Sequence, residues 1–395
     1  MRILHVAPSF APAWAYGGVP RCTYELCRAL VELGEEVTVW TTDACDATRR
    51  LATAAQTIDG IVVHRFPNLS NRLAYHRQLY LPRGMYTHAA RHLREFDLVH
   101  VHSHRHLLQT VVGRAARRAA VPCVFTGHGT VPPIERYVPV KRVIDALGAR
   151  RFLREAAVCI AVANVERAHY VAAGVDPNRV HVIPNGLRLA DYAALPTRGA
   201  FRAAHQLGDA PLVLFVGKIT PRKGVGVLLH ALARLAPAVH LVVAGNFMMP
   251  AAILTRLTRE LGVTDRVRFV GLLTDEAKLA AYVDADVLAY PSHDEIFGLV
   301  PFEGVLCGTP PVVCDDSGCG EMVRAADCGL LVPYGDVVAL AAALTRLLES
   351  AERRAALVAN GRRYAGAHLD WSRVAATTRE LYRQVLRGAT AARRP

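Results

Sequence analysis

Two glutamates in one short segment are well placed to bind a ligand. Glu295 and Glu303 stand eight positions apart, directly after an apolar run near 286–290. On one continuous helix this spacing would separate them by about 12 Å. Gly298 and Pro301 favour a loop and then a helix, with Pro301 at the first helical position and Glu303 in the first turn. Both carboxylates then reach the same rim, where they can accept hydrogen bonds from the diols of a sugar or ribose.

Each glutamate also has a structural interpretation. A glutamate in the first turn of a helix interacts favourably with the helix dipole, so Glu303 could be explained without a ligand. Glu295 is harder to explain in this way, because a charged residue beside Phe297 and Gly298 at the carboxyl end of a strand is unusual.

A basic turn punctuated by glycines follows another apolar run, near 212–217. It begins with Gly217 and Lys218, and it ends with Arg222 and Lys223 before the next helix. Cations beside a helix amino terminus converge with backbone amides on the same oxygens, which predicts a pyrophosphate site. A solvated basic turn is the alternative.

Two turns in the first half also suggest ligand contacts. Gly17 and Gly18 permit a close backbone approach to an anion, and Pro20 suits the first helical position. The three spaced glycines of a dinucleotide fingerprint are missing, and an ordinary tight turn is the alternative. His128 lies between two glycines that cannot shield it, so we expect its imidazole to be available to a cleft.

Two patterns resemble metal sites, but we interpret both otherwise. Asp284 and Asp286 match the Asp-x-Asp pattern of metal-dependent sugar transferases, yet they open a strand and so lie at the opposite edge of the sheet from Glu295. Four histidines alternate along a strand end without Asp, Glu or Cys in register: His100, His102, His104 and His106. We therefore expect no metal and no other cofactor.

The elements that position these residues alternate between short β-branched runs and amphipathic stretches, which is typical of βαβ units. This order predicts an α/β chain with two doubly wound Rossmann-like domains that face each other across a cleft, joined near 185–205. Ligands of such sheets bind beyond the carboxyl ends of the strands. The predicted strands are 3–7, 36–41, 61–66, 98–102, 122–126, 158–162, 180–183, 212–217, 239–244, 267–270, 286–290, 311–314 and 329–332. From Val337 on, the composition predicts helices.

Length and composition agree with two domains. The chain has 395 residues, of which 52% are hydrophobic and 21% are charged. No apolar window is long enough for a membrane span, and no secretory signal is visible, so we expect a cytoplasmic protein. The nine cysteines lack the paired spacing of a zinc site, which favours reduced thiols.

The charge is uneven. Residues 1–190 contain 24 Lys and Arg against 14 Asp and Glu, whereas the rest contains 23 against 20. A basic first half suits nucleic acid, anionic lipid or a phosphorylated substrate, although arginine-rich coding bias would also produce it.

Together these motifs resemble the retaining glycosyltransferases of family 4, which have the GT-B fold. The likeness covers nearly the whole chain, and the paired-glutamate segment is its most specific part. The matching segments are Gly17-Gly18, His128, Pro184-Asn185-Gly186, Gly217 to Gly224, Glu295 to Gly298 with Glu303, and Ser317 to Pro333.

The resemblance implies transfer of a sugar from a nucleotide-diphosphate donor to an acceptor hydroxyl, with retention and without a metal, in cell-envelope or exopolysaccharide synthesis. It implies that Glu295 binds donor-sugar hydroxyls and Glu303 the ribose. Lys218 and Lys223 would bind the diphosphate, and His128 would lie by the sugar. The implied catalytic residues are His128, Lys218, Lys223 and Glu295, and the implied donor-binding residues add Gly17, Gly18, Gly217, Phe297, Gly298, Leu299 and Glu303.

The resemblance also implies the domain roles. Residues 1–190 would form the acceptor-side domain, residues 191–370 the nucleotide-sugar domain, and residues 371–395 a helix that crosses back to the first domain. The sequence departs from the family pattern at three positions. Lys218 stands where Arg is common, which loses a bidentate phosphate contact, while Arg188 and Ser317 replace a common Asp and Gly.

Other functions stay open from the sequence. A nucleotide-sugar epimerase or hydrolase would keep the fold and the donor but need no acceptor. A nucleic-acid-binding protein would explain the basic charge, yet no recognised module is present, so we expect no nucleic-acid partner. The expected partners are a nucleotide sugar and a glycan or lipid-linked acceptor. Residues 72–86 mix basic and aromatic residues, so they suit either peripheral contact with an anionic membrane or the lining of the acceptor cleft.

Overall fold

The computed structural model describes residues 1–133 and 137–391, and it divides into two compact units. Unit 1 comprises Met1–Gly186 and the segment from Trp371, and unit 2 comprises Leu187–Asp370. Each unit is built on one sheet with helices around it.

The strands are β1 (Arg2–Val6), β2 (Glu36–Thr42), β3 (Gln56–Ile58), β4 (Ile61–Phe66), β5 (Leu98–His102), β6 (Cys123–Thr126), β7 (Val158–Ala161), β8 (Val180–Val182), β9 (Leu212–Val216), β10 (His240–Ala244), β11 (Val267–Gly271), β12 (Val287–Tyr290), β13 (Pro311–Cys314) and β14 (Leu330–Val332).

The α-helices are α1 (Gly18–Glu32), α2 (Asn71–Arg77), α3 (Met85–His92), α4 (Leu107–Ala119), α5 (Val138–Ile144), α6 (Arg150–Glu155), α7 (Asn164–Ala172), α8 (Ala200–Ala204), α9 (Val225–Leu232), α10 (Ala251–Glu260), α11 (Asp275–Asp284), α12 (Leu299–Leu306), α13 (Gly318–Ala326), α14 (Val337–Leu348), α15 (Ala351–His368) and α16 (Trp371–Ala391). None of the helices in the described ranges is long and apolar enough to cross a membrane.

The sheet of unit 1 has the order β3-β4-β2-β1-β5-β6-β7-β8 and is parallel except for β3. The central strand β5 is buried at every position, as expected for a strand with helices on both faces of its sheet, although two of its five residues are histidines. The sequence did not predict β3, since its residues are mostly exposed and form no apolar run.

The sheet of unit 2 has the order β11-β10-β9-β12-β13-β14 and is entirely parallel. The order in which successive strands are added to the sheet reverses between β9 and β12, and the equivalent point in unit 1 lies between β1 and β5. In open α/β sheets the loops that leave the two central strands part at this point and leave a crevice for a ligand. The predicted two doubly wound Rossmann-like domains are confirmed.

The units divide after Gly186, whereas the sequence analysis placed the first boundary after residue 190. The backbone N–H of Leu187 donates to the Leu369 carbonyl at 2.6 Å, so residues 187–190 begin unit 2. Helix α16 packs on α1 within unit 1, and residues 392–395 of the predicted terminal helix lie outside the described residues.

The core of unit 1 contains a group of buried histidines. His5 and His100 are 0% exposed, and His102 is 2% exposed. The phenol of Tyr382 on α16 lies 2.5 Å from His100 Nδ1, so the last helix contributes to this group. Burial lowers the pKa of His5 to about 3 and lowers the pKa of His100 and His102 well below the ordinary value, because a buried imidazolium is poorly solvated.

These histidines predict that unit 1 loses stability on acidification. In the folded unit the imidazoles stay neutral, whereas in the unfolded chain they take up protons near pH 6.5. The unfolded state therefore binds more protons below pH 6.5, and each imidazole removes about 1.4 kcal/mol of unfolding free energy per pH unit. Glu166 acts in the opposite direction, because burial raises its pKa to about 7, but it is one group against three.

We expect the melting temperature, followed by circular dichroism, to fall as the pH is lowered from 7 to 5. The variant Glu166→Gln removes the opposing titration, so its melting temperature should fall more steeply over the same range. A melting temperature that stays constant or rises between pH 7 and pH 5 would contradict the burial of neutral histidines.

Candidate active site

Two loops leave the switch point of unit 2 and contact each other. One follows β9 and runs over residues 217–224, and the other follows β12 and runs over residues 291–298. The backbone N–H of His293 donates to the Arg222 carbonyl at 2.9 Å, and the Arg222 guanidinium donates to the Asp294 carbonyl at 3.0 Å. Because these strands are neighbours in the sheet, residues about seventy positions apart in sequence meet here.

Lys223 lies at the centre of this contact. Its ammonium donates to the Glu295 carboxylate and to the Tyr290 hydroxyl, and Nζ lies 4.7 Å from the centroid of the Tyr290 ring. Burial, and after it the charge of Glu295, raises the pKa of Tyr290, so this partner is a neutral phenol. An ammonium has three N–H donors, and these two contacts leave one for another group.

Glu295 is held from two sides. Its Oε2 also accepts from the Ser292 hydroxyl at 3.0 Å, and its backbone carbonyl accepts from Cys319 N–H at 2.8 Å. The side chain is 17% exposed. The carboxylate is therefore oriented by Lys223 and Ser292, while Oε1 lies outside these two hydrogen bonds.

Glycines allow these loops to come close to each other and to neighbouring segments. A Cβ on Gly224 would lie 2.2 Å from the Pro291 carbonyl oxygen, and the φ of Gly224 is +72°. A Cβ on Gly298 would lie 2.4 Å from the Cys319 sulfur. Gly217, which has a φ of +154°, follows β9 directly and lies so close to Gly245 that a Cβ on Gly245 would overlap its carbonyl oxygen.

Lys218 lies on the same loop as Lys223. It is exposed, yet partial desolvation and then repulsion by Lys223 lower the pKa of its ammonium. Two ammonium groups therefore raise the local positive potential at this switch point, which favours an anion.

Glu303 differs from the sequence-based expectation. Helix α12 begins at Leu299 with Gly298 before it, so Pro301 is the third helical residue and Glu303 the fifth. The predicted first-turn position is wrong because a proline fits any position whose N–H lacks a helical partner, and the first four do. Glu303 instead accepts from the Tyr282 hydroxyl at 2.8 Å and from Lys278 at 3.3 Å, both on α11.

The two predicted glutamates thus have different partners, Lys223 and Ser292 for one and Lys278 and Tyr282 for the other. Lys278 and Tyr282 were not singled out from the sequence. Their spacing of four on one helix could have identified a shared face. Of the neighbouring positions, Phe297 is buried and Leu299 is half-buried at the start of α12.

The Gly17-Gly18 turn ends the loop after β1 in unit 1. Gly17 precedes α1 with a φ of +103°, a backbone conformation that favours glycine, whereas a Cβ on Gly18 would meet open space. The helix begins at Gly18, so Pro20 is its third residue and the prediction of a first-position proline is wrong for the same reason as at Pro301.

His128 is shielded more than the sequence suggested. Its flanking glycines leave it open, but its Nε2 lies 3.1 Å from Nδ1 of His102, whose ring stacks on it. The residue is half-buried, and burial lowers its pKa to about 4. The shielding comes from a tertiary neighbour on β5 and not from the sequence neighbours, and the prediction that the imidazole is available to a ligand stays a prediction.

Glu166 supports the His128 loop and was missed by the sequence analysis. It is fully buried on α7 and accepts from the backbone N–H of Gly129 at 2.5 Å and of Val162 at 2.8 Å. The Tyr170 hydroxyl, one helical turn later, accepts from the N–H of Gly127. A glutamate and an aromatic residue four apart on an apolar helix face are the sequence pattern that could have indicated this role.

The residues set aside as metal ligands have other partners. Asp284 accepts from the backbone N–H groups of Gly199 and Arg202, and Asp286 binds the Arg202 guanidinium at 3.0 Å. In unit 1, both ring nitrogens of His104 are within hydrogen-bond distance of side chains, one of Gln109 and one of Asp145.

A different group of possible metal ligands lies beside Glu295. Ligand atoms of His293, Asp294 and Asp316 come within 4.8 Å of one another, and the His293 ring contacts the Asp316 carboxylate. These side chains are partly exposed, and such clusters are common without an ion.

The segment 72–86 contributes α2 and the start of α3, with Leu73, Leu79 and Tyr86 exposed. Both interpretations given for it, membrane contact and a solvated acceptor-side surface, require such exposure.

Comparison with known proteins gives the family. The model described as glycosyl transferases group 1 matches residues 197–364, and the glycosyl transferase 4-like domain matches residues 17–186. A D-inositol 3-phosphate glycosyltransferase of Xylanimonas cellulosilytica is 32% identical over 416 residues, which is 97% of this chain and 96% of the relative.

Solved structures show the same fold. Anabaena Alr3699/HepE in complex with UDP-glucose is similar with a TM-score of 0.76 and 22% identity, covering 97% of this chain and 100% of that one. Sucrose-phosphate synthase from Thermosynechococcus elongatus also has a TM-score of 0.76, with 24% identity. The match covers 98% of this chain and 100% of that one. With both halves and the full-length relative matched, this chain belongs to the glycosyl transferase group 1 family with a 4-like amino-terminal domain, and it is a glycosyltransferase of the GT-B fold.

Proposed function

We propose that this glycosyltransferase moves a sugar from a nucleotide-diphosphate donor to an acceptor hydroxyl with retention of the anomeric configuration and without a metal. The Lys223–Glu295 contact at the β9/β12 switch point is the observation that carries the proposal. Lys223 has one N–H left for a diphosphate oxygen, and Glu295 Oε1 lies outside the hydrogen bonds that hold Oε2.

Departure of the nucleotide is the step that needs these residues. The leaving diphosphate gains negative charge as the sugar–oxygen bond breaks, and a preorganised ammonium stabilises that charge without reorganisation. Lys223 is held in place before the donor binds, and Lys218 adds a second positive charge on the same loop. We assign the diphosphate to this pair and the sugar hydroxyls to Glu295.

The remaining site residues are assigned roles from their positions and hydrogen-bond partners. Glu303 binds the ribose, supported by Lys278 and Tyr282, and Gly17 and Gly18 bring backbone amides to the switch point of unit 1. The Glu295 carboxylate is engaged with Lys223, so it is a poor nucleophile. Attack on the same face through an oxocarbenium-like state, assisted by the departing phosphate, accounts for retention.

There are two candidate acceptors. The relative named above acts on D-inositol 3-phosphate by its name, and the excess of basic residues in 1–190 suits a phosphorylated acceptor. A glycan or lipid-linked acceptor in envelope or exopolysaccharide synthesis is the second candidate, and the exposed Leu73, Leu79 and Tyr86 support contact with a membrane-bound acceptor.

The donor is identified by thermal shift with UDP-, GDP- and ADP-sugars, because a ligand that binds only the folded protein raises its melting temperature. The donor that gives a shift is then incubated with D-inositol 3-phosphate or with a lipid-linked glycan. Retention requires that the anomeric proton of the product, observed by NMR, has the same configuration as the donor. Free sugar in place of a glycoside would indicate a hydrolase, and an epimerised nucleotide sugar an epimerase.

The metal-free mechanism is tested with EDTA. We expect the transfer rate to be unchanged in the chelator, since Lys218 and Lys223 supply the positive charge. A loss of activity that Mg²⁺ or Mn²⁺ restores would contradict this, and His293→Ala with Asp316→Ala would then show whether the cluster beside Glu295 binds that ion.

The variants Lys223→Ala and Glu295→Ala should each lower kcat by about a hundredfold or more, the effect of deleting one preorganised group at a developing charge. The matched control is Arg256→Ala, which breaks the exposed Arg256–Glu260 pair on α10 and should leave kcat unchanged. Near-normal turnover in either site variant, with unaltered circular dichroism, would refute the assignment.

A further inference from the structure

Three histidines from three separate segments of unit 1 form a hydrogen-bonded chain. His5 Nδ1 lies 2.9 Å from His102 Nε2, and His102 Nδ1 lies 3.1 Å from His128 Nε2. His5 and His102 come from the adjacent strands β1 and β5, and His128 follows β6. The chain therefore runs from the core to the half-buried loop at the carboxyl edge of the sheet.

A neutral imidazole has one N–H and one lone pair, so the three rings have only two consistent arrangements. In the outward arrangement His5 donates to His102 and His102 donates to His128, and each ring carries its proton on Nδ1. In the inward arrangement His128 donates to His102 and His102 donates to His5, and each ring carries its proton on Nε2.

The inner end of the histidine chain, at His5, distinguishes the outward from the inward arrangement. His5 Nε2 is buried and has no hydrogen-bond partner among the described residues. The nearby His100 does not serve it, because its ring nitrogens lie 2.5 Å from the Tyr382 hydroxyl and 2.7 Å from the Thr126 hydroxyl. The inward arrangement would bury an unpaired N–H donor at this atom, whereas the outward arrangement buries only an unpaired acceptor, and orphaned buried donors are the rarer and costlier of the two.

The rings are neutral, as both arrangements require. Burial lowers the pKa of His5 to about 3 and of His128 to about 4, and it lowers the pKa of His102 well below its ordinary value. The charged form is further opposed in His102 by the three other imidazoles around it.

We propose that His5 and His102 are positioning residues that hold His128 as the Nδ1–H tautomer, so that His128 presents a hydrogen-bond donor to a ligand oxygen. The identity of that oxygen, a hydroxyl or phosphate oxygen of a substrate, rests on the proposed function. The tautomer itself follows from unit 1 alone. In this arrangement Nδ1 cannot accept a proton from the attacking hydroxyl, so His128 acts by donating and not as a general base.

The direct test is the tautomeric state of each ring in the intact protein. Two-bond and three-bond ¹H–¹⁵N correlations of ¹⁵N-histidine-labelled protein distinguish protonated from bare ring nitrogens, and the variants His5→Gln, His102→Gln and His128→Gln assign the resonances. We expect Nδ1–H at all three rings at pH 7. An Nε2–H at His102 or His128, or an imidazolium at either ring, would overturn the proposal.

A matched pair of variants at His102 tests the consequence for His128. In His102→Asn the amide nitrogen can occupy the place of Nδ1 and still donate to His128, whereas in His102→Leu that donor is lost. We expect His102→Asn to keep His128 as Nδ1–H with kcat/KM within about threefold of the parent, and His102→Leu to lower kcat/KM by about tenfold, the effect of one hydrogen bond. The control His368→Leu changes an exposed histidine on α15 and should alter neither.

The outcomes separate this inference from the proposed function. Nδ1–H at all three rings without transfer to any acceptor would support the tautomer chain and count against sugar transfer. Nε2–H at His128 with normal transfer would overturn the tautomer chain and support sugar transfer. Equal losses in His102→Asn and His102→Leu, with both proteins folded, would show that His102 acts through packing alone and would also overturn the proposal.

Discussion

An ammonium shared between a carboxylate and a phenol joins the two loops on which the candidate site of unit 2 depends. Lys223 contacts Glu295 and Tyr290. These residues meet because β9 and β12 are neighbours at the point where the strand order of the sheet reverses. Each partner limits what the other can do. The lysine is held for an anion before any ligand arrives, and the half-buried glutamate has the lysine as its partner.

Unit 1 has neutral groups beside its own switch point. Beside its switch point lies a core of imidazoles, which hydrogen-bond to one another, to Thr126 and to Tyr382. Burying a neutral ring costs less free energy than burying a charged side chain. The chain of hydrogen-bonded histidines can therefore run from inside the sheet to its edge. The two units therefore present different chemistry at similar positions, charged in one and hydrogen-bonding in the other.

The features that could be predicted from the sequence are those that depend on residues close together in the sequence. Apolar runs located every strand except β3, and loops rich in glycine and charge located Lys223, Glu295 and His128 at strand ends. Helix starts were less predictable, because a proline is accepted anywhere in a first turn, which displaced both Pro20 and Pro301 from their expected positions. Partners such as Tyr290, Tyr282, Glu166 and His5 come from other elements, and only the sheet order brings them to the site.

Unit 1 is discontinuous in sequence, since α16 returns to pack on α1 and its Tyr382 reaches His100. On the ribosome, the residues of unit 2 are complete before α16 has been made. The whole sequence of unit 2 is therefore present before that of unit 1, and one side of the imidazole core of unit 1 stays uncovered until α16 has been made. The unit whose first strand is synthesised first is therefore the one whose sequence is completed last.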